Sequence, residues 1–454
     1  MTNLAGVRRR LTTRSVTGRY DVFLGLGAGL AILGLLLLFR ALGGPDADRA
    51  WHLFQVNWVY FTGLAGGSVA VAAVHKVVNA RWSGLVIRFA EASVAFLPVS
   101  LLGLVLIFTV GYPHIYGHMA GELPVLQHGK AVWLSHDVMF ARLVVLLGAL
   151  YLVGWRLVRA DLVPDMFAAK EAVSGARRSR FDRMTSGYDG SEGAIEVNEH
   201  RLRRLGAAYI VLYALGFTAV AFDGMMALQP HWFSNLFGGW YFMGSFLAGH
   251  MLLALMMIYG GRQLGIADLI SPKQRHDLGK LCFGFSVFWT YLMWAQFQVI
   301  WYGNLPEETG FVFSRLWGHW VPVAKIVFVG MFVVPFFGLL GVGPKKTRAT
   351  LGFFAAVSLT ALWLERYILV VPSITAADGP VFGLPEFAPT LLFAGLYLLS
   401  YALFARTFPM VSPRLAEITL LRELGHHEIE IFDHEDADQD FVHEADLERR
   451  KGSR

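Results

Sequence analysis

Apolar residues run through this chain in blocks of twenty or more, separated by short stretches that hold charges, prolines or glycines. A bilayer hydrocarbon core about 30 Å thick needs roughly 20 apolar residues at 1.5 Å per residue, and that ruler predicts ten helices. The first five run approximately from Tyr20 to Leu42, Leu53 to Val78, Leu85 to Gly111, Trp133 to Val158 and Leu205 to Leu228. The next five run from Leu236 to Gly261, Leu278 to Tyr302, His319 to Val342, Leu351 to Val371 and Phe387 to Phe408. The expected fold class is therefore all-α, a polytopic membrane protein. Arg8, Arg9 and Arg10 precede the first block, but its length and the lack of a small-residue cleavage site mark it as a span rather than a signal peptide.

Composition agrees. Of 454 residues, 55% are hydrophobic and 16% charged, against about 45–50% and about 25% in soluble domains. That balance excludes a soluble enzyme, a nucleic-acid-binding domain and a disordered chain. The net charge of +5 comes from basic residues beside apolar runs, and their placement sets an expected orientation. Five arginines before the first span, the 159–204 loop, the Arg262 to Lys280 turn and Lys345, Lys346 and Arg348 fall on one side. The opposite loops hold Arg40, Arg49, Lys130 and Arg315. Both termini are thus expected in the cytoplasm of a bacterial inner-membrane protein. The chain divides into a basic N-terminus (1–19), four spans (20–158), a polar loop (159–204), six spans (205–408) and an acidic tail (409–454). The tail carries His426, His427, His434 and His443, which read either as metal ligands or as part of a solvated, partner-contacting segment. A single cysteine, Cys282, leaves no internal disulfide and no Cys-rich zinc or iron–sulfur site.

Charges inside spans cost about 2.5 kcal/mol or more, so each marks a candidate site. Asp137 and Arg142 lie roughly 6 and 14 Å into the fourth span, with Asp223 at similar depth in the fifth, so the three are expected to share one outer-half cavity. His136 and the loop residues His114, His118, Glu122 and His128 add titratable groups. A quinol pocket would draw on His114, His136, Asp137 and Asp223; a plain Arg142–Asp223 ion pair with solvated histidines is the rival reading. Lys325, Glu365 and Arg366 form a second cluster, in which two cations and one carboxylate cannot all pair. Glu91, three residues after Arg88, permits an i,i+3 pair, and snorkelling accounts for both. His250 lies mid-span, as a relay group or a hydrogen-bonded core residue. A buried haem usually needs two histidines at matching depth, and only His250 is central, so no electron-carrying centre is expected in this chain. Gly63 and Gly67 have GxxxG spacing, which lets another backbone approach closely.

The stretch Phe222-Asp223-Gly224-Met225-Met226-Ala227-Leu228-Gln229-Pro230-His231-Trp232-Phe233-Ser234, followed by Gly238-Gly239-Trp240-Tyr241-Phe242, resembles the fifth-to-sixth span junction of NrfD-like (polysulfide-reductase-type) membrane subunits. His276-Asp277-Leu278-Gly279-Lys280, Phe288-Trp289, Trp301-Tyr302-Gly303-Asn304-Leu305-Pro306-Glu307-Glu308-Thr309, Leu364-Glu365-Arg366-Tyr367 and Val371-Pro372-Ser373 resemble one branch closely. That branch is the second NrfD-like subunit (ActF) of alternative complex III, a quinol:cytochrome c or quinol:oxidase oxidoreductase. The resemblance implies two four-helix bundles, spans two to five and six to nine, with the first and tenth helices peripheral. It implies no tightly bound cofactor, a quinol (menaquinol or ubiquinol) as reactant, and haem and iron–sulfur centres in partner subunits. Those partners would be a sister NrfD-like subunit, an iron–sulfur/molybdopterin-like subunit and c-type cytochromes. Asp137, Arg142 and Asp223 would fall in the first bundle, and His250, Lys325 and Glu365 in the second.

The leading expectation is a membrane subunit of a quinol-oxidising respiratory complex that supports proton translocation through Asp137, Asp223 and Glu365, with Arg142 and Lys325 setting their charge states. Two other classes stay open. A secondary transporter would use interrupted helices, for which Pro98 and Pro335 are the only signal. A purely structural anchor would use the charges for assembly alone.

Overall fold

The computed structural model describes residues 4–18, 20–375 and 379–423. The acidic tail with its four histidines lies outside the described residues. Among the described residues every regular element is helical. Ten long helices follow in order: Asp21–Leu42, Ala47–Val77, Ile87–Tyr116, His136–Ala169, Glu192–Gly224, Leu236–Gln263, Pro272–Gly303, Gly318–Leu340, Arg348–Ile374 and Leu384–Thr407. Among the described residues nine are long and apolar enough to cross a membrane, which fits a multi-pass membrane protein. The seventh, with 32 residues, is long enough. Its cluster of Lys273, Arg275, Asp277 and Lys280 and its Gln296 and Gln298 leave it less apolar than the other nine.

The fourth and fifth helices run well past their expected ends. The fourth continues to Ala169 and the fifth begins at Glu192, with a further helix at Gly175–Met184 between them. The 159–204 segment is therefore mostly helix rather than polar loop. Ser191 caps the fifth helix, its Oγ accepting the Ala194 N–H at 3.3 Å. Asp161 and Asp165 stand one turn apart and anchor the fourth helix to buried cations.

Close backbone approach sets the packing. The second helix touches the third, fifth, sixth, ninth and tenth, and the tenth lies along the first. A Cβ at Gly67 would stand 1.9 Å from the Ser245 carbonyl oxygen, and one at Gly249 would stand 2.7 Å from that of Gly67. At the other contact, a Cβ at Gly34 would meet Leu392 N at 2.2 Å and one at Gly395 would meet Ala31 N at 2.3 Å. Glycine at these places lets two helix backbones touch, the contact that replaces hydrophobic driving force inside lipid. The third and eighth helices each contain a π turn, Ile107–Gly111 and Val329–Val333, a local irregularity frequent near functional sites.

Gly67→Val should separate the second and sixth helices. Since the obstructing atom is backbone rather than a movable side chain, the cost should reach or exceed the 1–3 kcal/mol typical of overpacking. Gly25→Val, where a Cβ meets nothing within 4 Å, should be neutral. Thermal unfolding in detergent measures both.

Candidate functional site

Five elements line a half-open cavity of about 610 Å³ among the sixth to ninth helices. Its walls are largely aromatic and aliphatic: Trp240 from the sixth helix, Trp289, Met293 and Phe297 from the seventh, and Phe328 from the eighth. The short helix Pro306–Leu316 supplies Phe311 and Arg315, the eighth Lys325, and the ninth Glu365. Pro306 at the start of that short helix, with Glu307 and Glu308 in its first turn, is a strong helix-initiation pattern. It places Phe311 and Arg315 one turn apart on the buried face.

The polar groups around this cavity are few. Glu365 and Arg366 are adjacent, both almost fully buried, and paired through Oε2 and Nη1. The other carboxylate oxygen, Oε1, accepts the Trp289 indole N–H at 3.1 Å. Arg366 also stacks over the Tyr241 ring at 4.5 Å. Lys325 does not join the pair. It is exposed and lines the same cavity, which resolves the surplus of one cation in this cluster.

Arg315, expected in an outer loop, is instead buried, with 5% of its surface accessible. Its Nη1 donates to the Phe311 carbonyl (2.8 Å) and Ser314 Oγ (2.9 Å), and its Nη2 to the Leu369 carbonyl (2.8 Å) and Ser373 Oγ (2.5 Å). The guanidinium also lies 3.4 Å from the Phe311 ring centre. Arg315 Nε and the Trp240 indole N–H are buried with no hydrogen-bond partner among the described residues. Both residues line the cavity. Buried donors are normally satisfied, and an orphan costs about 1–3 kcal/mol; both N–H groups are closed off from the cavity itself, which leaves Glu365, Lys325 and the Arg315 guanidinium held by neutral oxygens as the charged groups of its lining. The sequence signal for Arg315 was its spacing from Phe311 and Ser314, which the loop assignment hid.

The first half is built differently. Asp223, wholly buried, receives two parallel bonds from Arg142, 2.7 Å from Nη2 and 2.9 Å from Nε. Arg142 stacks on Trp133 at 3.8 Å and donates to the Trp133 carbonyl at 3.1 Å. Gln55 and Tyr116, unremarked in the sequence, seal the end of the fifth helix by donating to the carbonyls of Gly224 (2.7 Å) and Asp223 (2.9 Å). Asp137 does not share this site. Its side chain is 97% exposed and among the described residues accepts only from His136, at 2.7 Å, because the first turn of the fourth helix turns it outward. His136 otherwise bonds the Phe108 carbonyl at 2.9 Å. His114 bonds Asp48 at 2.5 Å and stacks on Trp51. Of the four residues expected to form one pocket, His136 and Asp137 bond each other, while His114 pairs with Asp48 and Asp223 with Arg142.

Glu91 does not snorkel. It is buried with Arg88 in a network, Arg88 Nη1 standing 2.7 Å from Glu91 and Arg88 Nη2 2.8 and 2.5 Å from Asp161 and Asp165. Lys76 completes it, 2.7 Å from Asp161 and 3.5 Å from Glu91. Lys76, Asp161 and Asp165 were hidden because each lies at or beyond an expected span end. His250 is buried against Phe246 and Phe285, its Nδ1–H donating to the Phe246 carbonyl at 3.0 Å.

Arg142→Met should leave Asp223 as an uncompensated buried carboxylate and destabilise the chain by about 3–5 kcal/mol. The double variant Arg142→Met with Asp223→Leu should recover most of that loss. Unfolding midpoints of the two proteins in one detergent check both statements.

No protein-family model matches the chain. It is 24% identical over 363 residues to the C subunit of selenate reductase from Mesobacillus selenatarsenatis, a match that covers 76% of this chain and 80% of the relative. The chain is thus a helical, multi-pass membrane protein similar over most of its length to a subunit of a reductase.

Proposed function

We propose that this chain is an integral membrane subunit of a quinol-oxidising respiratory complex, of the NrfD-like kind and nearest to the second such subunit of alternative complex III. Its quinol-handling site is the cavity in the second half, not the first-half pocket that the sequence favours. The observation that carries this reading is an apolar cavity walled by Trp240 and Trp289 whose lining holds a buried carboxylate, Glu365, and a buried cation, Arg315. A quinone headgroup is a flat ring with two oxygens. Tryptophan walls suit the ring, the positive charges of Arg315 and Lys325 suit an oxygen, and Glu365 suits a hydroxyl proton.

Oxidation of one quinol releases two electrons and two protons. The electrons pass to iron–sulfur and haem centres in partner subunits, as the resemblance to reductase subunits suggests. This chain's own residues handle the protons. Glu365 Oε1 accepts the first hydroxyl proton, passes it on and then accepts the second as the ring is oxidised, and Arg366 and the Trp289 N–H hold the carboxylate in place. Lys325, free at the cavity mouth, favours the ionised form of departing groups. The pairwise packing of helices two to five and six to nine is consistent with two four-helix groups, and Tyr241 and His250 along the sixth helix are candidate groups for onward proton movement.

In the assembled complex, Glu365→Gln should lower quinol turnover at least a hundredfold, the scale of a lost general base. Trp240→Leu, which removes an aromatic wall of the cavity, should raise KM for quinol about five- to tenfold and leave assembly intact. Asp137→Asn should match the wild type. Wild-type turnover and proton release in both Glu365→Gln and Trp240→Leu, with haem content unchanged, would sink the reading.

A further inference from the structure

A second cavity, about 600 Å³, lies at the opposite end of the fourth and fifth helices from Asp223. Arg156 and Arg159 of the fourth helix and Arg201 of the fifth line it, with Ser186, Tyr188 and Asn198. Asn198 ties the two helices together here, donating to the Ala160 carbonyl at 3.1 Å. None of the three arginines has an ion-pair or hydrogen-bond partner among the described residues. Arg156 and Arg159 also stand at i,i+3 on one helix face, where like charges are destabilising by a few tenths of a kcal/mol. One carboxylate, Asp189, lines the cavity too. It is engaged with the start of the fifth helix, accepting the Ser191 N–H at 2.9 Å and Oγ–H at 2.7 Å. Those two bonds hold the Asp189 carboxyl below its ordinary range. Three guanidinium groups against one carboxylate leave the lining at +2.

Depth identifies the partner. Arg156 lies 23 residues beyond Trp133, the expected outer end of the fourth span, and Arg201 27 before Leu228, that of the fifth, or about 35 and 40 Å at 1.5 Å per residue. Those lengths pass the hydrocarbon core of about 30 Å and stay within the roughly 40–45 Å that includes the headgroup regions, so the arginines stand at the level of lipid headgroups. Leu152, Trp155 and Val197, on the same two helices, are exposed apolar side chains. Trp155 is the residue type that settles at the membrane–water boundary.

We propose that this cavity binds the phosphate headgroup of an anionic phospholipid, with charge and room for two phosphates. Arg156, Arg159 and Arg201 supply the charge-assisted bonds, and the exposed apolar residues give the acyl chains a surface to follow. The lipid completes a site that the polypeptide leaves with surplus positive charge, and it braces the fourth helix against the fifth. Basic pockets between membrane helices recognise such headgroups in this way, each arginine adding about fivefold to affinity.

The test uses the full chain in nanodiscs of phosphatidylcholine with and without a one-tenth share of cardiolipin or phosphatidylglycerol, followed by native mass spectrometry after extraction. The wild type should retain anionic lipid, cardiolipin more tightly than phosphatidylglycerol. Arg201→Gln should weaken retention about fivefold, and Arg156→Gln with Arg159→Gln and Arg201→Gln about a hundredfold. Asp189→Asn should retain it more tightly, an outcome that a merely misfolded site cannot give. Equal retention in wild type and triple variant would overturn the proposal. So would arginine-dependent binding of inorganic phosphate with no retained lipid, which would assign the cavity to a free anion.

Discussion

The constraint on which this structure depends is that a charge inside hydrocarbon must be neutralised by its neighbours. Water cannot help it there, and an isolated ion is too costly to bury. Each deeply buried carboxylate among the spans therefore has a cation at bonding distance. Asp223 has Arg142, Glu365 has Arg366, and Glu91, Asp161 and Asp165 share Lys76 and Arg88. These pairs also choose which helices meet. Arg142 with Asp223 fixes the fourth helix against the fifth, and the Lys76–Arg88 network fixes the second, third and fourth at their other ends. Pairing of this kind adds little net stability over an apolar contact, yet breaking one side of it is expensive. Specific neighbours are what it provides.

Small residues do the complementary work where no charge is present. The glycines at the second–sixth and first–tenth contacts bring backbones into touch. The sixth helix is thereby pinned to the second along one side, with the Tyr241 hydroxyl adding a 2.8 Å bond to the Val59 carbonyl in the same seam, while Trp240 faces the cavity. A rigid seam on one face and a lined cavity on the other suit a helix that must hold a site in fixed geometry.

Most of the fold was legible in the sequence because span length and apolar content report directly on bilayer thickness. Long apolar blocks located the helices, to within several residues except where the fourth runs on to Ala169 and the fifth begins at Glu192, and Gly63 and Gly67 announced a close approach. What hydropathy cannot report is azimuth. Each residue turns a helix by about 100°, and in a span that is apolar all round no stripe shows which way a charge points. Asp137 and Arg142 differ by five residues, more than one turn, and the structure sends the first into the open and the second inward. Lys76, Asp161 and Asp165 were missed for another reason. They lie where an apolar window ends, so charge there reads as loop even when the helix continues.

Arg315 is the informative exception to the pairing rule. It is a buried cation with no carboxylate partner among the described residues, held by two carbonyls, two hydroxyls and an aromatic face. Neutral oxygens solvate a guanidinium without cancelling its charge, so the site keeps a positive field. Lys325 on the same cavity adds to it, and the Glu365–Arg366 pair, being neutral overall, does not remove it. A cavity that is apolar in its walls but positive in its field favours a ligand that becomes more negative as it reacts. Under the proposed quinol reading, the surplus charge would stabilise the anion formed when a hydroxyl proton leaves ahead of the electrons.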